Sequence, residues 1–148
     1  MADLREYRRR RNPQRTPEPV PAEDPPAGPG ANRFVIQEHQ ARRLHYDVRL
    51  ERDGVLVSFA VPKNLPTQPG EVRLAVHTED HPLEYLTFHG EIPKGEYGAG
   101  SMTIWDSGRY ETEKWTEEEV AVTLHGKRTQ GRFVFFSHGN GRDWMVRR

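Results

Sequence analysis

The sequence has no cysteine among its 148 residues. This absence excludes disulfide bridges, thiolate metal sites and cysteine nucleophiles, so any metal ion must be held by histidine, aspartate or glutamate. Long apolar runs are also missing, because no stretch approaches the roughly 18 residues that a membrane-spanning helix requires. No secretory segment is visible either. We therefore expect a soluble cytoplasmic protein that does not contact a membrane.

The net charge of the sequence is zero, since 22 basic and 22 acidic residues cancel. The overall charge therefore indicates no class of partner, and its distribution along the chain carries more information. Only 34% of the residues are apolar, which predicts a compact core. A segment of roughly 115 residues can still bury about two-thirds of its unfolded surface, which is enough for one sandwich or barrel.

The first 32 residues contain seven of the twelve prolines and few large apolar side chains. Such a segment cannot bury enough surface to offset its ordering entropy. We therefore predict that residues 1–32 form a flexible, disordered tail and that residues 33–148 form one domain. Within the tail, LREYRRRR favours one or two helical turns before Asn12 and Pro13. Its arginine run favours contact with phosphates, with a solvated or targeting tail as the alternative.

From Arg33 onward, short runs typical of strands are separated by glycine and proline. Asp53 and Gly54 accept the positive φ of a tight hairpin turn. A short helix is predicted near Thr116, which would cap it, with Glu119 three residues later. The pattern predicts an all-β fold, an antiparallel barrel or sandwich. The predicted strands are RFVIQEH, HYDVRLE, VLVSFAV, EVRLAVHT, EYLTFHGEI, GSMTIWDSG, VAVTLHG, GRFVFFSHG and DWMVRR.

The stretch LHYDVRLERDG, residues 44–54, alternates with the period of a half-buried strand. Its polar positions are His45, Asp47 and Arg49, which point to one face. His39 lies six residues before His45 and can return to it across the turn-like QARR. Two imidazoles and a carboxylate suit a divalent ion such as manganese or zinc, with positions left open for water and substrate. Arg49 is then placed to fork onto two phosphate oxygens. The alternative is a set of surface histidines beside an Asp47–Arg49 salt bridge.

A second cluster, HTEDHPLEY at residues 77–85, is predicted to be a loop. Pro82 biases His81 toward an extended backbone, which would aim its imidazole. His81 is the candidate for transition-state hydrogen bonding or general acid catalysis. The glycine-rich PKGEYGAGS lacks the Walker spacing, so it favours a turn over a phosphate cradle.

Three stretches resemble the 3′-phosphoesterase module associated with bacterial DNA ligase D. They are FVIQEHQARRLHYDVRLERDGVLVSFAVPKNLP, EDHPLEYLTFHGEIPKGEYGAGSMTIWDSGRYE and GRFVFFSHGNGRDWMV. The segment LREYRRRRNPQRTPEP is similar to the amino-terminal part of the same family, whereas EKWTEEEVAVTLHGKRTQGRF is less typical of it. The resemblance implies a small β barrel with one or two short peripheral helices.

The resemblance also implies a manganese-dependent enzyme that heals 3′ ends of DNA at a primer-template, with zinc or cobalt as other ions. Members of the family remove a 3′-terminal ribonucleoside, which leaves a 3′-phosphate, and then remove that phosphate. By the same resemblance, His39, His45 and Asp47 are metal ligands and Arg49 holds the scissile phosphate. Further site residues implied in this way are His81 and Tyr85, which contact the phosphate, and Glu79 and Lys63, which are accessory.

Two other classes of function stay open at this stage. His45 and Asp47 with a distal His81 match the two-histidine, one-carboxylate set of a non-haem iron oxygenase. A non-catalytic module that binds DNA ends would use the same residues structurally. Because no polymerase or ligase segment is visible, we expect a monomer in the nucleoid that serves a ligase and end-joining factors in trans, unless the chain is an excised domain.

Overall fold

A computed structural model of the protein describes residues 3–21, 30–137, 139 and 141–148. Residues 1–2 and 22–29 of the predicted tail, residue 138 of a predicted strand and residue 140 lie outside this part of the chain. The elements in chain order are α1 (Arg5–Arg9), β1 (Arg33–Gln40), β2 (Leu44–Arg52), β3 (Val55–Val61), β4 (Val72–Pro82), a 3₁₀ helix (Leu83–Thr87), β5 (Gly90–Ile92), β6 (Gly100–Trp115), β7 (Glu119–Gly126), β8 (Gln130–Ser137) and β9 (Asp143–Arg147). None of the described helices has the length and apolar character needed to cross a bilayer.

Within these ranges, eight antiparallel strands close into a barrel, which confirms the predicted fold class. The strands pair in the order β1, β2, β3, β4, β9, β8, β7 and β6, and β6 returns to β1. The short β5 adds a ninth strand outside the closed barrel, on the edge of β6. Closure removes the exposed sheet edges through which β proteins otherwise aggregate.

The barrel interior holds the main core, and strand alternation supplies it. Phe34 and Ile36 of β1 point inward beside Val48 and Leu50 of β2, and all four are fully buried. The ring of Phe59 stacks on Phe135 across the interior, with a centroid separation of 4.5 Å. The predicted hairpin is confirmed, because Asp53 and Gly54 have φ values of 52° and 84° between β2 and β3.

A second apolar cluster lies on the outer face of the barrel, where the amino-terminal segment packs. The fully buried Leu4 and Tyr7 contact Leu56, Tyr85 and Met102 there. The predicted helical turns are confirmed as α1. However, residues 3–21 differ from the predicted flexible tail, because two large apolar anchors, the buried Arg11–Glu79 ion pair and the hydrogen bond from Tyr85 to Glu18 hold this segment on the barrel.

Besides the predicted strand EYLTFHGEI, of which only Gly90–Ile92 is a strand while its start lies in the 3₁₀ helix, two local predictions are wrong. The segment at Thr116 is a turn between β6 and β7, in which the Thr116 hydroxyl accepts backbone hydrogen bonds from residues 118 and 119 without a helix following. The stretch at residues 77–85 is not a loop, since β4 continues to Pro82 and the 3₁₀ helix begins at the next residue. Pairing of β4 with β3 explains this second difference, because it extends the strand through His81.

Candidate active site

The β1–β2 hairpin assembles the first half of the site. Its register places His39 directly opposite His45 and leaves Asp47 and Arg49 farther along β2 on the same face. That face is the outer surface of the barrel, since the alternate residues Val48 and Leu50 point into the core. The structure therefore brings the polar positions of the hairpin together, as the alternation predicts.

Three side chains converge at this point within metal-binding range. Candidate ligand atoms of His39, His45 and Asp47 all lie within 4.8 Å of one another. The Nδ1 of His39 is 3.1 Å from the Nε2 of His45. Each of these nitrogens is 3.4 Å from a carboxylate oxygen of Asp47.

The remaining ring nitrogens fix the tautomer of both histidines. His39 Nε2 is 2.8 Å from the carbonyl oxygen of Gly98, and His45 Nδ1 is 3.1 Å from that of Arg43. A carbonyl oxygen only accepts, so each of these nitrogens carries the proton and donates it. With the outer nitrogens carrying the protons, a neutral form of each ring presents the lone pair of its facing nitrogen to the other ring and to Asp47.

This donor set fits a divalent cation. Two lone pairs and a carboxylate aimed at one point repel one another unless a cation lies between them. Backbone carbonyls that hold the outer imidazole nitrogens are the supporting contacts usual for ligating histidines. Burial opposes ionisation of Asp47, but the positive charge of Arg49 is the largest of the contributions that outweigh it and hold the pKa of this carboxyl far below its usual value. Asp47 is therefore available as an anionic ligand.

Arg49 supplies an unused donor beside this cluster. Its Nε donates to the Gln37 side-chain oxygen at 2.7 Å, and its Nη2 lies 3.4 Å from Asp47. Its guanidinium also lies over the Tyr85 ring, 4.6 Å from the centroid. The Nη1 of Arg49 is the buried side-chain atom, among the described residues, that lacks a hydrogen-bond partner. An unpaired buried donor is costly, so this nitrogen indicates a place for an anionic oxygen.

The second half of the site comes from the amino-terminal segment. Arg11 is 4% exposed and donates to Glu79 of β4 at 3.0 Å, and it pairs with the buried Glu18 at 3.1 Å. Its guanidinium lies 3.8 Å from the centroid of the Tyr7 ring, which fixes its plane. Arg11 therefore adds a buried cation to the groove, although two carboxylates already balance it.

Tyr85 and His81 are tied to this cluster. The Tyr85 hydroxyl donates to Glu18 at 2.6 Å, and burial raises the pKa of Tyr85 well above its usual value. His81 Nδ1 donates to the carbonyl of Glu79 at 2.9 Å, so its Nε2 accepts from Arg11 at 3.3 Å. Burial, with the charges of Arg49 and Arg11, holds the pKa of His81 well below its usual value. A neutral His81 with an occupied Nε2 favours hydrogen bonding over general acid catalysis.

These residues line one groove of about 360 Å³. The structure thus gathers seven of the residues proposed from the sequence, namely His39, His45, Asp47, Arg49, Glu79, His81 and Tyr85. Lys63 is the exception, because it lines a separate cavity at the end of the barrel. His39, rather than the distal His81, completes the candidate cluster, so the residues named for the oxygenase alternative are not the ones brought together, although the donor types are the same.

Sequence reasoning missed Gln37, Arg11 and Glu18. Gln37 could have been found, because it lies two residues before His39 and shares its strand face. Its amide nitrogen donates to two carbonyls around the 3₁₀ helix, those of Tyr85 and Phe88. The arginine run and its proline-rich continuation have no periodic signal that could indicate the buried pair of Arg11 and Glu18.

The glycine-rich loop at residues 93–99 is a turn, as predicted. It contributes the Gly98 carbonyl to His39, rather than a set of amides to a phosphate. Gly98 has a φ of 78°, a conformation that favours glycine. The loop therefore orients a candidate metal ligand.

Comparison with known proteins places this site in a family. The family model of the DNA Ligase D 3′-phosphoesterase domain matches residues 37–137. The chain is 59% identical to the multifunctional non-homologous end joining protein LigD of Mycolicibacterium smegmatis, over 98% of the chain and 20% of that protein. It is 58% identical to the LigD DNA repair protein of Mycobacterium tuberculosis, over 98% of the chain and 19% of that protein. The corresponding protein of Pseudomonas aeruginosa is 43% identical over 88% of the chain and 16% of its own length.

The chain spans about a fifth of the length of the mycobacterial relatives. The residues matched by the family model include the three candidate metal ligands, Arg49, His81 and Tyr85. Because the match covers more than half of the residues and the mycobacterial identity extends almost throughout, the chain belongs to the DNA ligase D 3′-phosphoesterase domain family.

Proposed function

We propose that this protein is a manganese-dependent 3′-phosphoesterase that heals DNA 3′ ends during break repair. It removes a terminal ribonucleoside to leave a 3′-phosphate, and then removes that phosphate to leave the 3′-hydroxyl that a ligase requires. The observation that carries the proposal is the unpaired Nη1 of Arg49, buried beside three converging metal-ligand side chains. Family membership supports the phosphoesterase chemistry.

Each residue of the groove has a defined part in this proposal. Nδ1 of His39, Nε2 of His45 and the Asp47 carboxylate would hold the metal ion. When bound, the ion supplies Lewis-acid polarisation and a water molecule with a lowered pKa. Arg49 donates from Nη1 to a non-bridging phosphate oxygen, and Gln37 fixes the plane of its guanidinium through the 2.7 Å hydrogen bond to Nε. Donors fixed in advance, such as this one, stabilise the charge that develops in the transition state.

Loss of activity on metal removal is the first expected result. A labelled DNA primer ending in a single ribonucleotide is annealed to a template and incubated with the protein, with and without manganese. Excess chelator should abolish both ribonucleoside removal and phosphate release, and added manganese should restore them, because the ion supplies the Lewis-acid polarisation and the activated water. Both products are resolved by gel electrophoresis. Full activity in excess chelator contradicts the proposal.

The same assay separates the two remaining classes of function. A non-catalytic end-binding module retains the labelled primer but releases neither product. An oxygenase turns over a 2-oxo acid only when oxygen is present, and leaves the primer intact. Ribonucleoside removal followed by phosphate release, without oxygen, is the result that only the phosphoesterase proposal predicts.

The charge of the substrate predicts that Arg11 matters more for the second reaction. A phosphodiester carries one negative charge, whereas a terminal phosphate carries roughly 1.5 to 2 near neutral pH. Arg11 is the additional buried cation of the groove. We expect Arg11→Gln to slow phosphate release about tenfold more than ribonucleoside removal, so that the 3′-phosphate product accumulates. A time course that resolves both products measures the ratio.

Two further variants complete this experiment. Arg9→Gln is the matched control, because Arg9 is two residues away and pairs with Glu6 on the exposed side of α1. The double variant Arg11→Gln/Glu18→Gln removes the cation together with one of its two carboxylate partners, so only Glu79 loses an ion-pair partner, and Glu79 keeps Arg10 at 3.9 Å. Equal slowing of the two reactions in both Arg11 variants, with thermal stability retained, contradicts this role of Arg11.

A further inference from the structure

A second polar cavity lies at the end of the barrel where β2 begins and β3 ends. It measures about 340 Å³ and shares no lining residue with the metal groove. Its wall contains the aromatic side chains of Tyr46 and Trp105 and the basic side chain of Arg128. We define the Arg128 surface as these three residues together with the adjoining Lys127.

The Arg128 surface begins one residue away from the metal ligands. Tyr46 lies between His45 and Asp47 on β2, and its side chain points to the opposite face of the strand. The Tyr46 ring contacts Trp105 edge-on, with a centroid separation of 6.0 Å. The guanidinium of Arg128 then lies 4.9 Å from the centroid of Trp105. Side-chain contacts therefore lead from Tyr46 through Trp105 to Arg128, and the backbone of β2 joins Tyr46 to the candidate metal ligands on either side of it.

A β-bulge positions Trp105. Ile36 of β1 pairs with Asp106 of β6, but the next residue, Gln37, pairs with Ile104. Trp105 is the extra residue between them and has no partner on β1. Bulges at barrel rims commonly redirect a side chain, and here the redirected indole is half-buried between Tyr46 and Arg128.

The turn that carries the two cations is fixed by Asp106. The buried Asp106 carboxylate accepts backbone hydrogen bonds from Lys127, Arg128 and Thr129 at 2.7 to 3.0 Å. Gly126 permits this close approach, because a Cβ there would lie 2.3 Å from an Asp106 oxygen. The negative charge of Asp106 is thus satisfied by these backbone N–H donors. Within the described part of the chain, neither Lys127 nor Arg128 pairs with a carboxylate.

This combination of features fits single-stranded nucleic acid. Such strands are bound by cations that follow the phosphates and by aromatic or guanidinium planes on which bases stack. Lys127 and Arg128 are exposed on a fixed turn, and Arg128 presents its plane over an indole. A fixed turn also lowers the ordering cost of binding.

We propose that the Arg128 surface binds a single-stranded segment of the DNA substrate whose 3′ end occupies the metal groove. The proposal rests on the proposed function and adds to it a second contact, on the other side of the barrel rim. It predicts that the protein binds substrates with a single-stranded extension more tightly than substrates too short to reach the Arg128 surface.

Charge reversal tests the proposal by measuring binding. The full chain loaded with manganese is titrated with a fluorescent oligothymidylate at several salt concentrations, and anisotropy reports the affinity. Lys127→Glu/Arg128→Glu should weaken binding and lower the slope of log affinity against log salt by about 1.4, from about 0.7 for each of two phosphates. The matched control is Lys114→Glu/Arg132→Glu, which changes the net charge equally. Both control side chains are in exposed salt bridges, which contribute little to stability.

Steady-state kinetics on two substrates test the Arg128 surface separately from the proposed function. The Lys127→Glu/Arg128→Glu variant should raise KM for a 3′-phosphorylated primer on a template with a single-stranded extension. It should release phosphate from a 3′-phosphorylated dinucleotide as the unmodified protein does. Either of two outcomes contradicts DNA binding by the Arg128 surface. One is an equal change of the salt slope in the test and control variants, and the other is an unchanged slope and an unchanged KM in the test variant. Absence of phosphate release by the unmodified protein instead contradicts the proposed function, and the binding arm still reports on the surface.

Discussion

Asp47→Asn is expected to lower both phosphoesterase rates by at least about 10³-fold, because the loss of an anionic ligand removes several kcal/mol of metal-dependent stabilisation. Asparagine keeps the size of the side chain but removes the charge that faces both imidazoles at 3.4 Å. The variant should also bind manganese more weakly. Calorimetric titration with manganese and the time course on the ribonucleotide-ended primer measure these two effects.

Asp143→Asn is the matched control for this prediction. Asp143 is exposed at the start of β9, so the same chemical change there should leave the rates and the metal affinity unchanged. Thermal denaturation of Asp47→Asn shows whether the barrel remains folded, since Arg49 also loses its ion-pair partner. A folded Asp47→Asn protein with full metal affinity and full rates contradicts the assignment of Asp47 as a ligand.

Local patterns in the sequence predicted the barrel and the β1–β2 half of the site. Strand alternation determines that His45, Asp47 and Arg49 share a face, and Asp53 with Gly54 specifies the turn that follows. Both are properties of neighbouring residues, so they can be read without knowing the tertiary structure. The register that sets His39 opposite His45 follows from the short turn between them.

The amino-terminal half of the site could not be read in the same way. Arg11 and Glu18 are buried through contacts with Glu79 and Tyr85, which are more than 60 residues away along the chain. Composition alone indicated disorder, because two apolar anchors, Leu4 and Tyr7, are too few to produce a periodic signal. The buried Arg11–Glu79 ion pair and the Tyr85–Glu18 hydrogen bond also hold the segment, and they depend on partners that only the folded barrel brings close.

The loop predicted around His81 illustrates the same limit. Charged residues and a proline dominate this stretch, which is typical of loops. The backbone nevertheless pairs with β3, where His81 lies opposite Leu56. Side chains on this part of β4 are covered by the amino-terminal segment instead of by solvent. A polar strand that faces a polar groove therefore lacks the alternation from which strands are predicted.

Arg49→Lys is the second substitution with a large expected effect. Lysine keeps the positive charge but lacks the planar fork, so it cannot both donate to Gln37 and direct a second donor at the phosphate. Losing one donor that acts in the transition state typically lowers kcat by about 10² to 10³-fold. We expect a loss of this size in both reactions, with manganese affinity largely retained because the three ligands are unchanged.

Steady-state kinetics distinguish this role from simple substrate binding. If Nη1 of Arg49 acts in the transition state, kcat falls, whereas a contact made equally in the ground state would raise KM and leave kcat unchanged. Arg52→Lys is the matched control, because Arg52 lies on the same strand but its guanidinium is 4.5 Å from the Trp115 ring centroid, at the opposite end of the barrel. A rise in KM alone for Arg49→Lys would place Arg49 in ground-state binding. An unchanged kcat and KM would mean that its unpaired nitrogen does not meet the phosphate.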